Sequence, residues 1–345
     1  MATIKDVAEL AGVSFKTVSR VINRGPNVRD EIRQRVLRAA DALEYRPNLH
    51  ARHMRTQRSK VFAFISDDIA TTPFAGQIIQ GAQMAAWQHE MLLLMFNTGG
   101  DPAVEAAGVE SALERGVEGI IFATMYHRAV EVPKHAFRVP LVLVDCFARN
   151  GSPPSVVPDE VGGGFSATKL LLEKGHRRIA MINADQKYPA AAGRLRGYRK
   201  ALKQFRVAVD PQLIRTGGWW QDDGYEHALA LLEMKAVPTG IFCASDRIAV
   251  GVYDALKEKG LKIPDDISVV GFDNQELLAA HTRPPLTTVS MPYFEMGSWA
   301  INQLTHADSN ANRSVPGPHR LECPLVIRAS VDKPRTAGRR SSPSR

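Results

Sequence analysis

Cysteine is scarce in this 345-residue chain: Cys146, Cys243 and Cys323 stand far apart with no Cys-x-x-Cys pair. That argues against a disulfide framework or a thiolate metal site, and for buried free thiols in a reducing compartment such as the cytoplasm. Long apolar runs are missing too. The longest, MLLLMF at Met91 to Phe96, has the length of a strand and falls far short of the ~20 residues a membrane span needs. The N-terminus carries no apolar signal core, so export is not expected. Catalytic signatures are also wanting: there is no HExxH, GxSxG, GxxxxGK[ST] or CxxC. Gly162 to Gly164 lacks the lysine of a phosphate loop and reads as the opening of a helix. The pairs Asp67/Asp68, Asp222/Asp223 and Asp265/Asp266 are adjacent in sequence, so their side chains diverge and none makes an acid/base couple. Neither an enzyme nor a metal- or cofactor-dependent protein is expected.

What is present is ordinary soluble composition, 44% hydrophobic and 23% charged, in a chain long enough for two or three domains. The net charge of +8 is unevenly spread. Residues 1–60 hold 13 Lys and Arg against 6 Asp and Glu, the tail from Val331 holds 5 against 1, and the body between them has a net charge of −3. A basic N-terminal module on a slightly acidic body is the electrostatic footprint of a nucleic-acid binder, because phosphate neutralisation supplies most sequence-independent affinity. The tail DKPRTAGRRSSPSR is rich in Ser, Pro and Arg, and residues 331–345 read as a disordered basic extension.

The basic module begins TIKDVAELAGVSFKTVSRVIN. Thr3 can cap a first helix, with Asp6 reaching back in a capping box, and Ile4, Val7, Ala8 and Ala11 share one face. Gly12 stops that helix, Ser14 caps a second, and Val18, Val21 and Ile22 repeat the apolar spacing. Phe15, Lys16, Thr17, Ser19, Arg20 and Asn23 stay outside. Arg and Lys suit guanine edges, Asn suits adenine, and hydroxyls suit phosphate. The major-groove candidates are therefore Phe15, Lys16, Thr17, Arg20 and Asn23, with Thr3, Ser14 and Ser19 as phosphate contacts. Arg29 to Glu44 reads as a third helix whose Ile32, Val36, Ala40 and Leu43 close a small core, so residues 1–44 form an all-α helix-turn-helix head.

IKDVAELAGVS followed by TVSRVIN resembles, almost letter for letter, the DNA-binding module of the lac repressor family of bacterial transcription regulators. Residues 45–60 extend the likeness. From Tyr45 to Ser66 there is no acidic residue, and YRPNLHARHM is similar to that family's hinge helix, which orders when paired copies enter the minor groove. The resemblance implies minor-groove contacts by Asn48, Ala51, Arg52 and Met54. Met54 matches the apolar wedge, where many relatives carry Leu and where methionine is the more flexible choice.

From Val61 the pattern changes to short apolar runs alternating with helical segments: VFAFI, LLLMF, GIIFA, LVLV, IAMI, GIFC and SVVGF. Alternation of this kind predicts parallel sheets with helices on both faces, here in two doubly wound lobes over residues 61–330, with crossovers near Asp159, Ser290 and His319. The arrangement is similar to the periplasmic sugar-binding fold that forms the family's regulatory core. Ligands in open parallel sheets bind outside the carboxyl ends of strands, where Asp67, Asp68, Asp145, Asn183, Ser245, Asp246 and Asp273 fall. Asp246 reads mainly as a helix cap.

Arg194 and Asp273 can fork onto neighbouring hydroxyls, and the indole of Trp219 can cover a sugar ring, with Trp220 a rival for that role. The resemblance aligns these three, together with Asp145, Ser245 and Tyr293, with the family's effector contacts. Asp67 and Phe74 complete the candidate effector set, Phe74 as apolar cover at the cleft edge. Ser245 and Met291 replace residues that are often polar amides or other polar groups in relatives. The helix holding Met296, Ala300, Ile301 and Leu304 suits either core or a dimer interface.

The expected protein is a cytoplasmic homodimeric repressor of carbohydrate-utilisation genes. It would bind a palindromic operator and be released by a mono- or disaccharide. No C-terminal leucine heptads point to a tetramer. A purine-like corepressor is the alternative within this class. The sugar-binding protein of a transporter, the alternative from another class, lacks the basic head.

Overall fold

The computed structural model describes residues 2–23, 25–46, 58–68, 76–149, 152–306 and 317–335. Contacts divide the chain into two compact units that abut in sequence at Ser59 and Lys60. Asn48, Ala51, Arg52, Met54 and Phe74 lie outside the described residues.

The first unit is built on three helices: α1 (Ile4–Ala11), α2 (Phe15–Ile22) and α3 (Asp30–Ala42). Thr3 and Asp6 form the reciprocal capping box, the Thr3 N–H donating to Asp6 Oδ2 at 2.7 Å and the Asp6 N–H to Thr3 Oγ1 at 3.4 Å. Gly12 takes the left-handed conformation at φ 59°, which lets the chain turn at once into the second helix. Val7, Ala11, Val18, Val21, Val36, Ala39 and Ala40 form the buried core. The third helix is shorter than expected at both ends: Arg29 is its N-cap and Leu43 its C-cap.

The second unit holds two six-stranded sheets. The first comprises β1 (Val61–Ser66), β2 (Leu92–Asn97), β3 (Gly119–Ala129), β4 (Leu141–Phe147), β5 (Ser155–Pro158) and β11 (His319–Leu321), in the order β11-β5-β4-β3-β1-β2 and parallel throughout. The second comprises β6 (Ile179–Ala184), β7 (Ile214–Gly217), β8 (Gly240–Cys243), β9 (Ser268–Asp273), β10 (Thr287–Ser290) and β12 (Leu325–Val326), in the order β12-β10-β9-β8-β6-β7. Only β12, against β10, runs antiparallel.

Helices α4 (Gly76–Gln88), α5 (Pro102–Glu114) and α11 (Tyr293–Thr305) cover the first sheet. The second is covered by α6 (Glu160–Glu173), α7 (Pro189–Gln204), α8 (Gln221–Leu232) and α9 (Asp246–Glu258), with α10 (Glu276–Ala279) beside α9. The chain passes between sheets three times, from β5 to α6, from β10 to α11 and from β11 to β12. One core cluster runs through both lobes, from Phe62 and Phe64 to Met181, Phe242 and Phe272. Met296, Ala300, Ile301 and Leu304 are buried in it, so that face of α11 is core.

Two packing details position the site. A Cβ at Gly164 would stand 2.4 Å from the Arg194 carbonyl oxygen, and one at Gly197 would stand 2.3 Å from that of Val161. Backbones of α6 and α7 therefore touch, which brings the first turn of α6 against the middle of α7. The second detail is a register shift in β3 between Ala123 and Arg128. Sequence pattern placed this strand at GIIFA alone, but it continues to Ala129, and the irregularity redirects Met125 to His127, as bulges beside binding sites do.

The tail needs correcting. Residues 331–335, expected to be disordered, pack on the second lobe. Ser268 Oγ donates to the Asp332 carbonyl at 3.1 Å, His176 Nε2 lies 2.8 Å from the same oxygen, and Arg335 pairs with Asp265 and Asp266 at 3.1 and 3.0 Å. Burial pushes the His176 pKa down, which keeps the ring neutral in this polar staple. A Ser-, Pro- and Arg-rich composition misses such fixation because the partners lie far away in sequence.

Candidate functional site

In the head, α2 buries Val18 and Val21 and leaves Phe15, Lys16 and Arg20 exposed, Phe15 by 54%. A phenyl ring so exposed on a helix of eight residues is costly to leave in water and suits a contact surface. The hydroxyls are more engaged than expected. Thr3 is tied into its capping box, and Ser14 Oγ accepts from the Thr17 N–H at 3.2 Å and lies 3.0 Å from Thr17 Oγ1. Asn23 Nδ2 donates to the Ser19 carbonyl at 2.6 Å and to Ser19 Oγ at 3.3 Å. Phe15, Lys16 and Arg20 thus form the outward face.

In the core, strand ends from both lobes converge on one cavity of about 370 Å³, counting its open mouth. Its lining includes Asp145, Arg194, Trp219, Asp273, Met291 and Tyr293, and also Tyr126, His127, Glu160 and Arg247. Asp145 sits near the end of β4 at φ 54° and Asp273 at the end of β9 at φ 108°. Left-handed backbone is disfavoured away from glycine and concentrates where a side chain must be aimed at a site.

The dominant interaction was not legible in the sequence. Arg194, expected to fork onto a ligand, forks onto Glu160: Nε donates to Oε2 at 2.7 Å and Nη2 to Oε1 at 3.4 Å. Nη1 donates to the Ala244 carbonyl and lies 3.5 Å from Asp273 Oδ1. The guanidinium carbon stands 3.7 Å from the Phe272 ring centroid and 5.4 Å from that of Trp219. Glu160 opens α6 directly after Asp159, where an acidic residue reads as a routine helix start. His127 Nδ1 lies 3.8 Å from Glu160 Oε1 and reaches it from the other lobe.

Burial would raise the Glu160 carboxyl, but Arg194 and His127 hold it below the usual range, so it is ionised. Asp145 behaves oppositely. Burial, reinforced by the nearby Glu160 charge, raises its pKa well above the aspartate range, and its Oδ1 has no hydrogen-bond partner among the described residues. Burial also lifts Asp273, to about 6, against the pull of Arg194 and Arg247.

Aromatic residues close the cavity. Trp219 and Tyr126 stack with centroids 6.5 Å apart and planes inclined by 22°, and Tyr188 meets Trp219 edge-on at 6.2 Å. Trp220 is 60% exposed under the Arg247 guanidinium, 4.3 Å from its ring centroid, so Trp219 is the indole that faces the cavity.

Two candidates lie elsewhere. Asp67 accepts from the N–H groups of Met125 and Asp68 at 2.8 and 2.7 Å and pairs with Arg128 at 3.1 Å, anchoring the redirected end of β3 instead of lining the cavity. Ser245 caps α9, accepting from the Ile248 N–H at 3.1 Å and donating to the Trp219 carbonyl at 3.3 Å. Asp246, read as that cap, is one residue too late for it. Its carboxyl instead accepts from the Gln275 N–H at 2.6 Å and from Thr288 Oγ1 at 2.5 Å. Asn183 Nδ2 donates to the Ala191 carbonyl at 3.0 Å and so steadies the start of α7. Among the described residues no cluster of His, Cys, Asp and Glu could hold a metal ion, and no helix is long and apolar enough to cross a membrane.

A helix-turn-helix head and a two-lobed core with a polar cavity define a DNA-binding regulator that takes a small molecule. Comparison with known proteins agrees. Residues 3–48 match the model for bacterial regulatory proteins of the lacI family, and residues 168–331 that for a periplasmic binding protein-like domain. The chain is 33% identical over 331 residues to the ribose operon repressor of Haemophilus influenzae, covering 96% of this chain and 99% of that one. It is 33% identical over 306 residues to the transcriptional repressor PurR of Vibrio atlanticus, covering 88% and 91%. The lac repressor dimer bound to operator and the anti-inducer ONPF superposes with a TM-score of 0.77 at 27% identity, covering 95% and 98%. The chain belongs to the lacI family of bacterial regulatory proteins and is a DNA-binding transcriptional repressor, not an enzyme.

Proposed function

We propose that the chain is a cytoplasmic homodimer that represses carbohydrate-utilisation genes and leaves a palindromic operator when a small sugar enters the cleft. The observation that carries this reading is the cavity itself. Carboxyls from matching strands of two lobes, a clamped guanidinium and an indole face make up the chemistry that holds ring hydroxyls on one side and C–H groups on the other. The two heads would set Phe15, Lys16 and Arg20 into successive major grooves, while Asn48, Ala51, Arg52 and Met54 enter the minor groove between them. Thr17 and Asn23 flank that surface, and Thr3, Ser14 and Ser19 would contact phosphates.

Pairing of two chains has a surface to use. Met84 and Trp87 on α4, and Leu92 and Met95 on the edge strand β2, are exposed, Trp87 by 63%. The lac repressor comparison is to a dimer on operator. Control follows from the lobes: the cavity takes Tyr126 and His127 from one and Trp219 and Glu160 from the other. A ligand touching both favours whichever lobe arrangement lets it do so, and operator affinity shifts only by that preference.

The second reading is a purine-like corepressor. The near-parallel Tyr126 and Trp219 rings suit a flat base, and PurR proteins are among the relatives. Fluorescence anisotropy on an operator fragment separates the two. Sugars should lower operator affinity under the first reading, whereas purines should raise it under the second. If neither changes operator affinity, the cleft is not the control site.

A further inference from the structure

Phosphorylated and free sugars differ by about two negative charges at neutral pH, and a cavity that takes one is electrostatically wrong for the other. Around this cavity stand two guanidiniums, Arg194 and Arg247, the ionised carboxylate of Glu160 and two further carboxyls, Asp145 and Asp273, of which burial favours the protonated form of Asp145, and no lysine lines it. Arg194 has a protein partner at every nitrogen: Glu160 at Nε and Nη2, the Ala244 carbonyl and Asp273 at Nη1, and Met291 Sδ also at Nη2, 3.8 Å away. It is 3% exposed and Glu160 2%, so water does not screen their pairing. Two of the helix ends at the cavity, those of α6 and α9, are occupied as well, whereas those of α7 and α11, which line it with Ala190 and Tyr293, carry no side-chain cap. The Gly162 N–H donates to Asp159 Oδ1 at 2.9 Å and the Ile248 N–H to Ser245 Oγ, so these amides are not on offer to a phosphate.

We infer that Glu160 is a specificity-determining residue: by engaging Arg194 internally it makes the cleft select an uncharged polyol and reject the phosphorylated form of the same sugar. The inference rests on the sugar reading above. Glu160 acts through Arg194 and is a positioning residue. It fixes where the guanidinium stands and removes its charge from the ligand's account. Asp145 then faces the ligand with an Oδ1 that has no protein partner among the described residues, and a carboxyl kept neutral there can both donate to and accept from a hydroxyl.

The test titrates the full chain with D-ribose, D-glucose, D-galactose and D-fructose and with their monophosphates at matched ionic strength, following tryptophan fluorescence. Whichever sugar binds should do so at least ~100-fold more tightly than its monophosphate, because opposing like charges in a buried site is strongly unfavourable. Glu160→Gln should narrow that ratio by about tenfold or more, and Glu160→Asp should restore it. Inorganic phosphate gives a readout independent of the sugar's identity: it should raise the melting temperature of Glu160→Gln more than that of the wild type. A monophosphate that binds the wild type as tightly as its parent sugar overturns the inference while leaving the cleft as the effector site, and this comparison needs no variant to fold. An unchanged ratio in Glu160→Gln removes Glu160 from the role. If no sugar or monophosphate binds, the sugar reading fails, and the inference fails with it.

Discussion

Asp145 and Asp273 occupy matching positions in the two lobes: each stands at the carboxyl end of the third strand of its sheet, β4 and β9, and each has a positive φ. Two lobes of one design have thus turned the same residue type toward one cavity from opposite sides. Burial raises both pKa values, so the cleft holds carboxyl groups that keep protons at pH values where free aspartate has lost them.

That gives a signed pH dependence. The Asp273 pKa is raised to about 6 in the folded chain from its ordinary 3.8, so the native state binds more protons than the unfolded state between those values. The stability associated with the protonated form is fully present below the ordinary aspartate range and is lost as pH rises through about 6. Melting temperatures of the ligand-free wild type, measured from pH 4 upward against Asp273→Asn, should fall relative to the variant across that window. Parallel curves would mean that Asp273 titrates normally.

The buried pair makes the next prediction. Arg194→Met leaves Glu160 charged and unpaired in the core and should cost about 3–5 kcal/mol in urea unfolding of the core. Adding Glu160→Gln should recover much of this loss, because the orphaned charge is then gone. A double variant no more stable than the single one would show that packing on Phe272, not charge pairing, dominates at Arg194.

Gly197→Ala probes the helix contact that brings this pair together. Its Cβ would stand 2.3 Å from the Val161 carbonyl oxygen and 2.5 Å from the Phe165 amide nitrogen, both backbone atoms, so α6 and α7 must separate. A loss of about 1–3 kcal/mol is expected, with weaker ligand binding because Glu160 and Arg194 sit on the two helices that move apart. Wild-type melting temperature and ligand affinity in this variant would contradict the close packing.

Much of the architecture was legible because it rests on local signals. The capping box at Thr3 and Asp6, the apolar period of α2 and the alternation of strands with helices are written in adjacent residues. The site was legible only where its residues end strands, as Asp145 and Asp273 do, or stand out by type, as Trp219 does. Glu160 was missed because its partner lies 34 residues away and the Gly164–Gly197 contact that joins them carries no sequence label. Tyr126 and His127 were missed because an irregularity in β3 carries the strand past its apolar run. Ser245 took the capping role expected of Asp246, since a helix start one residue earlier or later is invisible to composition alone.

The aromatic pair separates binding from surface chemistry. Trp219 faces the cavity beside Tyr126 and Tyr188, while Trp220 packs under Arg247 at the surface. Trp219→Ala should weaken ligand binding by about tenfold or more through loss of the stacking face, while Trp220→Ala should change it little. Titration by isothermal calorimetry checks this, and the reverse order of effects would assign the stacking role to Trp220.

In the head, Arg20 is the strongest candidate for reading bases, since it projects from the last turn of α2 on the exposed face shared with Phe15 and Lys16. A guanidinium forked onto a guanine edge contributes about 1–3 kcal/mol of discrimination, so Arg20→Ala should lower operator affinity roughly 10- to 100-fold. Binding to unrelated DNA should fall far less, because only one of the head's cationic charges is lost, and salt dependence should change by about one phosphate contact. The ligand response of the core should be unaffected, as the core forms a separate compact unit. Electrophoretic mobility shifts with operator and scrambled duplexes, alongside ligand titration of the same preparation, measure all three. Equal losses on both duplexes would make Arg20 a phosphate contact and leave base reading to Lys16 and Phe15.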